Sequence, residues 1–136
     1  MIKFAICDDE PAMARELAGY LARYLEEHEV TAYSVSNFSS GRALLEAADG
    51  FDVIFLDIQM EEPDGMETAR LLRRQGDHSL LVFVTVLMEL VFDAFQVEAY
   101  DYLTKPLDAA RFARTMDRVL QTLEQRTAAS IVIQQG

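Results

Sequence analysis

A chain of 136 residues and 15.4 kDa has the size of one ordinary domain, able to bury about two-thirds of the surface its unfolded form exposes without disulfides or structural metals. Hydrophobic residues make up 51% and charged residues 26%, a balance that excludes a disordered chain. Twelve Lys+Arg against twenty-three Asp+Glu leave a net charge of −11, which argues against nucleic acid or an anionic membrane as the main partner and favours a site that wants a cation.

The first apolar run, Ile2 to Cys7, has the length of a strand and ends in Asp8-Asp9-Glu10. Its start lacks the basic-then-apolar pattern of an export signal, so the expected compartment is the cytoplasm, and the lone Cys7 excludes a disulfide framework. A helical stretch follows, with Ala14, Leu17, Ala18, Leu21 and Leu25 on one face and Arg15, Glu16, Arg23 and Glu26 on the other. Val30 to Val35 is the second expected strand, and Ser39-Ser40-Gly41 opens a short helix through Ala48. The third strand, Val53 to Leu56, runs into Asp57, and Asp64-Gly65 opens a helix ending near Gly76. The fourth, Leu80 to Val86, carries Thr85; it shows almost no polar alternation, as in a sheet covered on both faces. The next helical stretch, residues 87–99, is apolar well round its circumference, which predicts a partner surface. Tyr100 to Leu103 leads into Thr104-Lys105-Pro106, and the last helix carries Phe112, Met116, Val119, Leu120 and Leu123 inward. From about residue 127 we expect a polar hinge and then a strand-like Ile131-Val132-Ile133, the first residues of a second module. His28 and His78 read as solvated.

This rhythm is (βα)5: an α/β fold in three layers, with a doubly wound parallel sheet. Ligands of such sheets bind beyond the carboxyl ends of the strands, which is where Asp8, Asp9, Asp57, Thr85 and Lys105 fall. Capping accounts for one Asp per loop, and Asp9 before Glu10-Pro11 suits that role. It does not account for a second Asp, or for a Lys before Pro at the end of the last strand. Converging carboxylates repel unless a cation sits among them, and hard oxygen ligands without His or Cys point to Mg²⁺. With phosphate oxygens held by the ion and Lys105, one carboxylate is placed to attack phosphorus.

Asp8-Asp9, Asp57, Thr85 and Lys105-Pro106, each at a strand end, resemble the signature of the response-regulator receiver domain of two-component signalling, over residues 1 to about 125. The strings DIQM at 57–60, DGMETAR at 64–70 and AYDYLTKPL at 99–107 further resemble receivers that precede a LytTR-type DNA-binding domain. The resemblance implies a flavodoxin-like strand order, 2-1-3-4-5, with residues 1–126 as the receiver and 127–136 as hinge and start of an output module. It implies Asp57 as phosphoacceptor, and Mg²⁺ held by Asp8, Asp9, Asp57 and the backbone carbonyl of Gln59. Thr85 and Lys105 would bind phosphoryl oxygens, Tyr102 would follow Thr85 as the switch aromatic, and the Lys105–Pro106 bond would be cis.

A sensor histidine kinase would donate the phosphoryl group, and the faces of the fourth and fifth helices would form a homodimer. DNA would be contacted only through the output domain, and no membrane is implied. The chain is a signalling phosphoacceptor in this reading and not an enzyme. An Asp-nucleophile phosphatase would need a second Asp at position 59, which is Gln; a receiver-like module that dimerises constitutively without phosphorylation is the other alternative. The family's Pro four residues after the phosphoacceptor is Glu61 here, with Pro63 two later. Val86 and Leu87 replace small and polar residues beside Thr85, from which we expect shielding of phospho-Asp57 from water.

Overall fold

A computed structural model of the chain describes residues 1–47, 50–86 and 95–135. Five strands, β1 (Ile2–Cys7), β2 (Tyr33–Phe38), β3 (Val53–Leu56), β4 (Leu80–Thr85) and β5 (Asp101–Thr104), form one sheet in the order β2-β1-β3-β4-β5, every neighbouring pair parallel. Among the described residues four helices accompany them: α1 (Pro11–Glu27), α2 (Gly41–Ala47), α3 (Gly65–Arg74) and α4 (Ala109–Gln135). A short 3₁₀ turn, Phe95–Val97, precedes β5.

The period of two along each strand divides the core. Phe4, Ile6, Val53, Phe55, Val82 and Val84 point to one face, where Leu17, Leu21 and Leu25 of α1 and Phe112, Met116 and Val119 of α4 cover them. Ala5, Cys7, Ile54, Leu56, Leu81 and Phe83 point to the other, against Leu44 of α2 and Met66, Ala69 and Leu72 of α3. Central strands covered on both faces have no use for polar alternation, which is why β3 and β4 are buried along their whole length.

Some boundaries and partners differ from the sequence reading. The second strand lies three residues later than Val30–Val35, because α1 consumes that stretch in ending: Glu29 takes φ 57° and the Val30 N–H returns to the Leu25 carbonyl at 2.8 Å. At the start of α1 it is Asp8, not Asp9, whose side chain accepts a turn hydrogen bond, from the Glu10 N–H at 2.9 Å. His28 is not merely solvated: its ring stacks on Tyr24 at 3.9 Å, and Nδ1 lies 2.9 Å from the Tyr24 carbonyl.

The strand expected at Ile131-Val132-Ile133 is overturned, as is the hinge before it, since α4 continues unbroken to Gln135. A lone strand has no neighbour with which to pair its backbone groups, whereas a helix pairs them internally. The Thr127 hydroxyl joins that ladder by donating to the Leu123 carbonyl at 3.1 Å. Most of the apolar stretch 87–99 lies outside the described residues, as does Ala48. No helix among the described residues is long and apolar enough to cross a membrane.

Candidate functional site

The strand ladders extend one residue past their ends and so line up the site. Asp8 N–H donates to the Phe38 carbonyl at 3.1 Å, Asp57 N–H to Cys7 at 3.0 Å, and Lys105 N–H to Thr85 at 3.1 Å. Asp8, Asp57 and Thr85 are all buried, while Asp9 is exposed at the rim. The Lys105 ammonium reaches across, donating to Asp8 Oδ2 at 2.9 Å and Asp57 Oδ2 at 3.3 Å. The other oxygen of each acid is also engaged: Asp8 Oδ1 by the Glu10 N–H, and Asp57 Oδ1 by the Gln59 N–H at 3.2 Å. The Lys105–Pro106 peptide is cis, as expected, and so is Glu62–Pro63.

Two buried carboxylates against one ammonium leave negative charge uncompensated. Burial pushes the Asp57 carboxyl above its ordinary value and the Asp8 charge adds to that, against the opposing pull of Lys105 and the Gln59 N–H. Burial also disfavours the Lys105 ammonium, but its hydrogen bond to Asp8 and the charges of Asp57 and Asp8 outweigh this and hold it above its usual range. Cys7, beneath the acids, has its thiol pushed up to about 12, first by burial and then by Asp8, Asp57 and Asp9, so it offers no thiolate.

Asp8, Asp9 and Asp57 can each present one oxygen such that all three lie within 4.8 Å of one another. An all-oxygen, doubly buried set beside an inert thiol fits a hard divalent cation such as Mg²⁺. The electrostatic strain predicts a stability change: Asp57→Asn removes a desolvated charge whose folded-state pKa is raised, so stability at neutral pH should increase. We expect roughly 1 kcal/mol, or about 4 °C in Tm, in metal-free buffer by differential scanning calorimetry. A lowered Tm would contradict this balance of charges.

Tyr102 on β5 is half-buried, packed on the core next to α3, with the Arg111 guanidinium 5.6 Å from its ring centre. Val86 is 55% exposed, and Leu87 lies outside the described residues.

Other supports escaped the sequence reading. Asp101, which it quoted only within a string, accepts from Arg111 at 2.9 Å, from the Thr115 hydroxyl at 2.7 Å and from Arg118 at 3.3 Å, tying β5 to α4. Arg73 donates to the carbonyls of Asp77, Ser79, Val97 and Glu98, clasping the end of α3 to the entries of β4 and β5. Gly65, read only as a helix opener, packs its backbone on Asp57: a Cβ there would sit 2.0 Å from the Asp57 carbonyl oxygen. The string Asp64-Gly65 was the available signal, but it spoke of a turn and not of what lies behind it.

The sequence profile described as the response regulator receiver domain matches residues 4–117. An uncharacterized response regulatory protein of Vibrio cholerae is 36% identical over 127 residues, 92% of this chain and 47% of that protein. The transcriptional regulatory protein BtsR of Escherichia coli is 36% identical over 121 residues, 89% of this chain and 49% of that one. Sensory transduction protein LytT of Bacillus cereus is 30% identical over 118 residues, 87% of this chain and 47% of its own length. The chain thus spans about half the length of the curated relatives it matches. Among solved structures, the response regulatory domain of protein mrkE from Klebsiella pneumoniae superposes with a TM-score of 0.80 at 26% identity, covering 91% of this chain and 99% of that one.

Proposed function

The chain belongs to the response regulator receiver domain family, the signalling modules of two-component systems, and from that premise we propose that it is a Mg²⁺-dependent phosphoacceptor switch with Asp57 as the acceptor. The observation that carries the reading is the Lys105 ammonium bridging Asp8 and Asp57, with an oxygen of Asp9 within 4.8 Å of theirs. An Asp57 oxygen forms the new O–P bond, the P–N bond of the kinase phosphohistidine breaks, and the imidazole leaves. Lys105 pairs with one phosphoryl oxygen, and the Thr85 hydroxyl donates to another. Asp8, Asp9, Asp57 and the Gln59 carbonyl would hold Mg²⁺, whose charge supports the phosphoryl oxygens when bound. Chemistry at Asp57 would then pass through Thr85 to Tyr102 and to the dimer surface expected of the chain's fourth and fifth helical stretches, tightening a homodimer.

In the same reading the protein works in the cytoplasm, a sensor histidine kinase is the donor, and residues 127–136 lead from the receiver (1–126) into a LytTR-type DNA-binding module. The relatives named LytT support the last point. DNA contact falls to that module. A full acid, hydroxyl and ammonium set disfavours a module that dimerises constitutively without phosphate.

Beryllofluoride, a phosphoryl mimic, tests the switch. With Mg²⁺ it should shift the amide resonances of Thr85, Tyr102 and Lys105 and raise the sedimentation coefficient toward a dimer, in wild type and not in Asp57→Asn. Equal responses in both proteins, or none, would contradict the proposal.

A further inference from the structure

The edge of the sheet opposite Asp57, where the chain enters β4 and β5, holds a cavity of about 320 Å³ whose lining includes Arg73, Arg118, Arg126, His78, Glu98 and Tyr100. In a chain with almost twice as many acids as bases, three guanidinium groups line one hollow with a single carboxylate in its wall, and Asp77 and Asp101 outside it pair with two of them. The three arginines differ in what they have left to give. Arg73 is spent on four backbone carbonyls and lies 3.6 Å from Asp77. Arg118 places one nitrogen 3.3 Å from Asp101 and its guanidinium over the Tyr100 ring at 5.2 Å. Arg126 donates one nitrogen to the His78 carbonyl at 2.9 Å and has no ion-pair partner within 4.0 Å among the described residues. The guanidinium carries five donors, so Arg126 and Arg118 keep most of theirs.

Arg73 and Arg126 also repel. Burial lowers the Arg73 pKa first, Asp77 and Glu98 oppose that, and the nearby Arg126 charge lowers it further. Like charges held together at a cavity wall are relieved by an anion between them. Two guanidinium groups of α4 with donors to spare suit a phosphate, whose three terminal oxygens can accept from both, better than a planar carboxylate, which one fork can satisfy. The cavity is larger than a bare phosphate, and a second hollow of about 390 Å³, lined in part by Phe51 and Gly76, shares His78, Ser79 and Arg126 with it.

We propose that this hollow is a binding site for a small phosphomonoester dianion, centred on Arg126 and Arg118. Its occupancy would cross-link α4 to the turn before β4, remote from the phosphoacceptor and independent of it.

The test is a titration of the wild-type protein with glycerol 3-phosphate in Mg²⁺-free buffer at fixed ionic strength. It is read by the arginine Nε–H and backbone amide resonances, with inorganic phosphate and acetate as parallel arms. Saturable shifts at Arg118, Arg126 and Ser79, weakened roughly tenfold or more in Arg126→Gln and in Arg118→Gln, are expected. Both residues are exposed, and unchanged far-ultraviolet circular dichroism verifies that each variant folds. Equal binding of glycerol 3-phosphate and inorganic phosphate would assign the site to the phosphate group alone; stronger binding of the ester would assign part of the affinity to its organic portion. Linear shifts spread over all arginines, an equal response to acetate, or saturation at Asp8, Asp57 and Lys105 that survives Arg126→Gln would each overturn the site.

Discussion

Replacing Gly65 with alanine is expected to collapse the acidic pocket from behind. A Cβ at this position would stand 2.0 Å from the Asp57 carbonyl oxygen, 2.7 Å from its carbonyl carbon and 2.6 Å from the Ile58 Cα. All three are backbone atoms, so no side chain can rotate away, and relief must come from moving either the start of α3 or the Asp57 loop. That start is fixed by the Gly65 N–H donating to the Ile58 carbonyl at 2.9 Å and by the Asp64 side chain accepting from the Glu67 N–H at 2.9 Å. Overpacking a core side chain typically costs 1–3 kcal/mol, and a backbone clash this close should reach about 3 kcal/mol or more in urea unfolding. Acceptance of phosphate should fall with it, since the Asp57 backbone is one of the two elements that can give way. Gly19 is the control: nothing lies within 4 Å of its Cβ position and it sits inside α1, so Gly19→Ala should stabilise by about 1 kcal/mol. If Gly65→Ala unfolded within about 0.5 kcal/mol of wild type, the close packing described here would be wrong.

The contrast between the two glycines shows what the sequence could carry. Strand placement was legible wherever burial on both faces left an uninterrupted apolar run, as in Val53–Leu56, and the site residues were legible because each stands at the end of such a run. Edge strand β2 was misplaced because its polar-interrupted YSVSNF looks less like a strand than the VTAYSV before it. The tail was misread because Ile131-Val132-Ile133 has strand propensity in isolation, and propensity yields when a helix already under way offers backbone pairing and a strand offers none. Gly65, Arg73 and Asp101 were not legible as supports. Their roles depend on atoms far away along the chain: a carbonyl behind Gly65, carbonyls at 97 and 98 for Arg73, and side chains ten to seventeen residues on for Asp101.

Asp57→Asn carries the other large effect, a complete loss. Only a carboxylate oxygen can form the acyl phosphate, and the amide keeps the shape of the pocket while removing the nucleophile. The exposed acids at the surface serve as internal competitors, since a non-specific donor would find Asp9 or Glu10 before the nearly inaccessible Asp57, whose exposure is 3%. The measurement is intact mass after exposure to acetyl phosphate with Mg²⁺, and again with the divalent ion chelated. The account predicts a gain of one phosphoryl group by the wild-type chain with Mg²⁺, sharply reduced on chelation, and none by Asp57→Asn. A phosphoryl group on Asp57→Asn, or a wild-type chain that gains none, would contradict it.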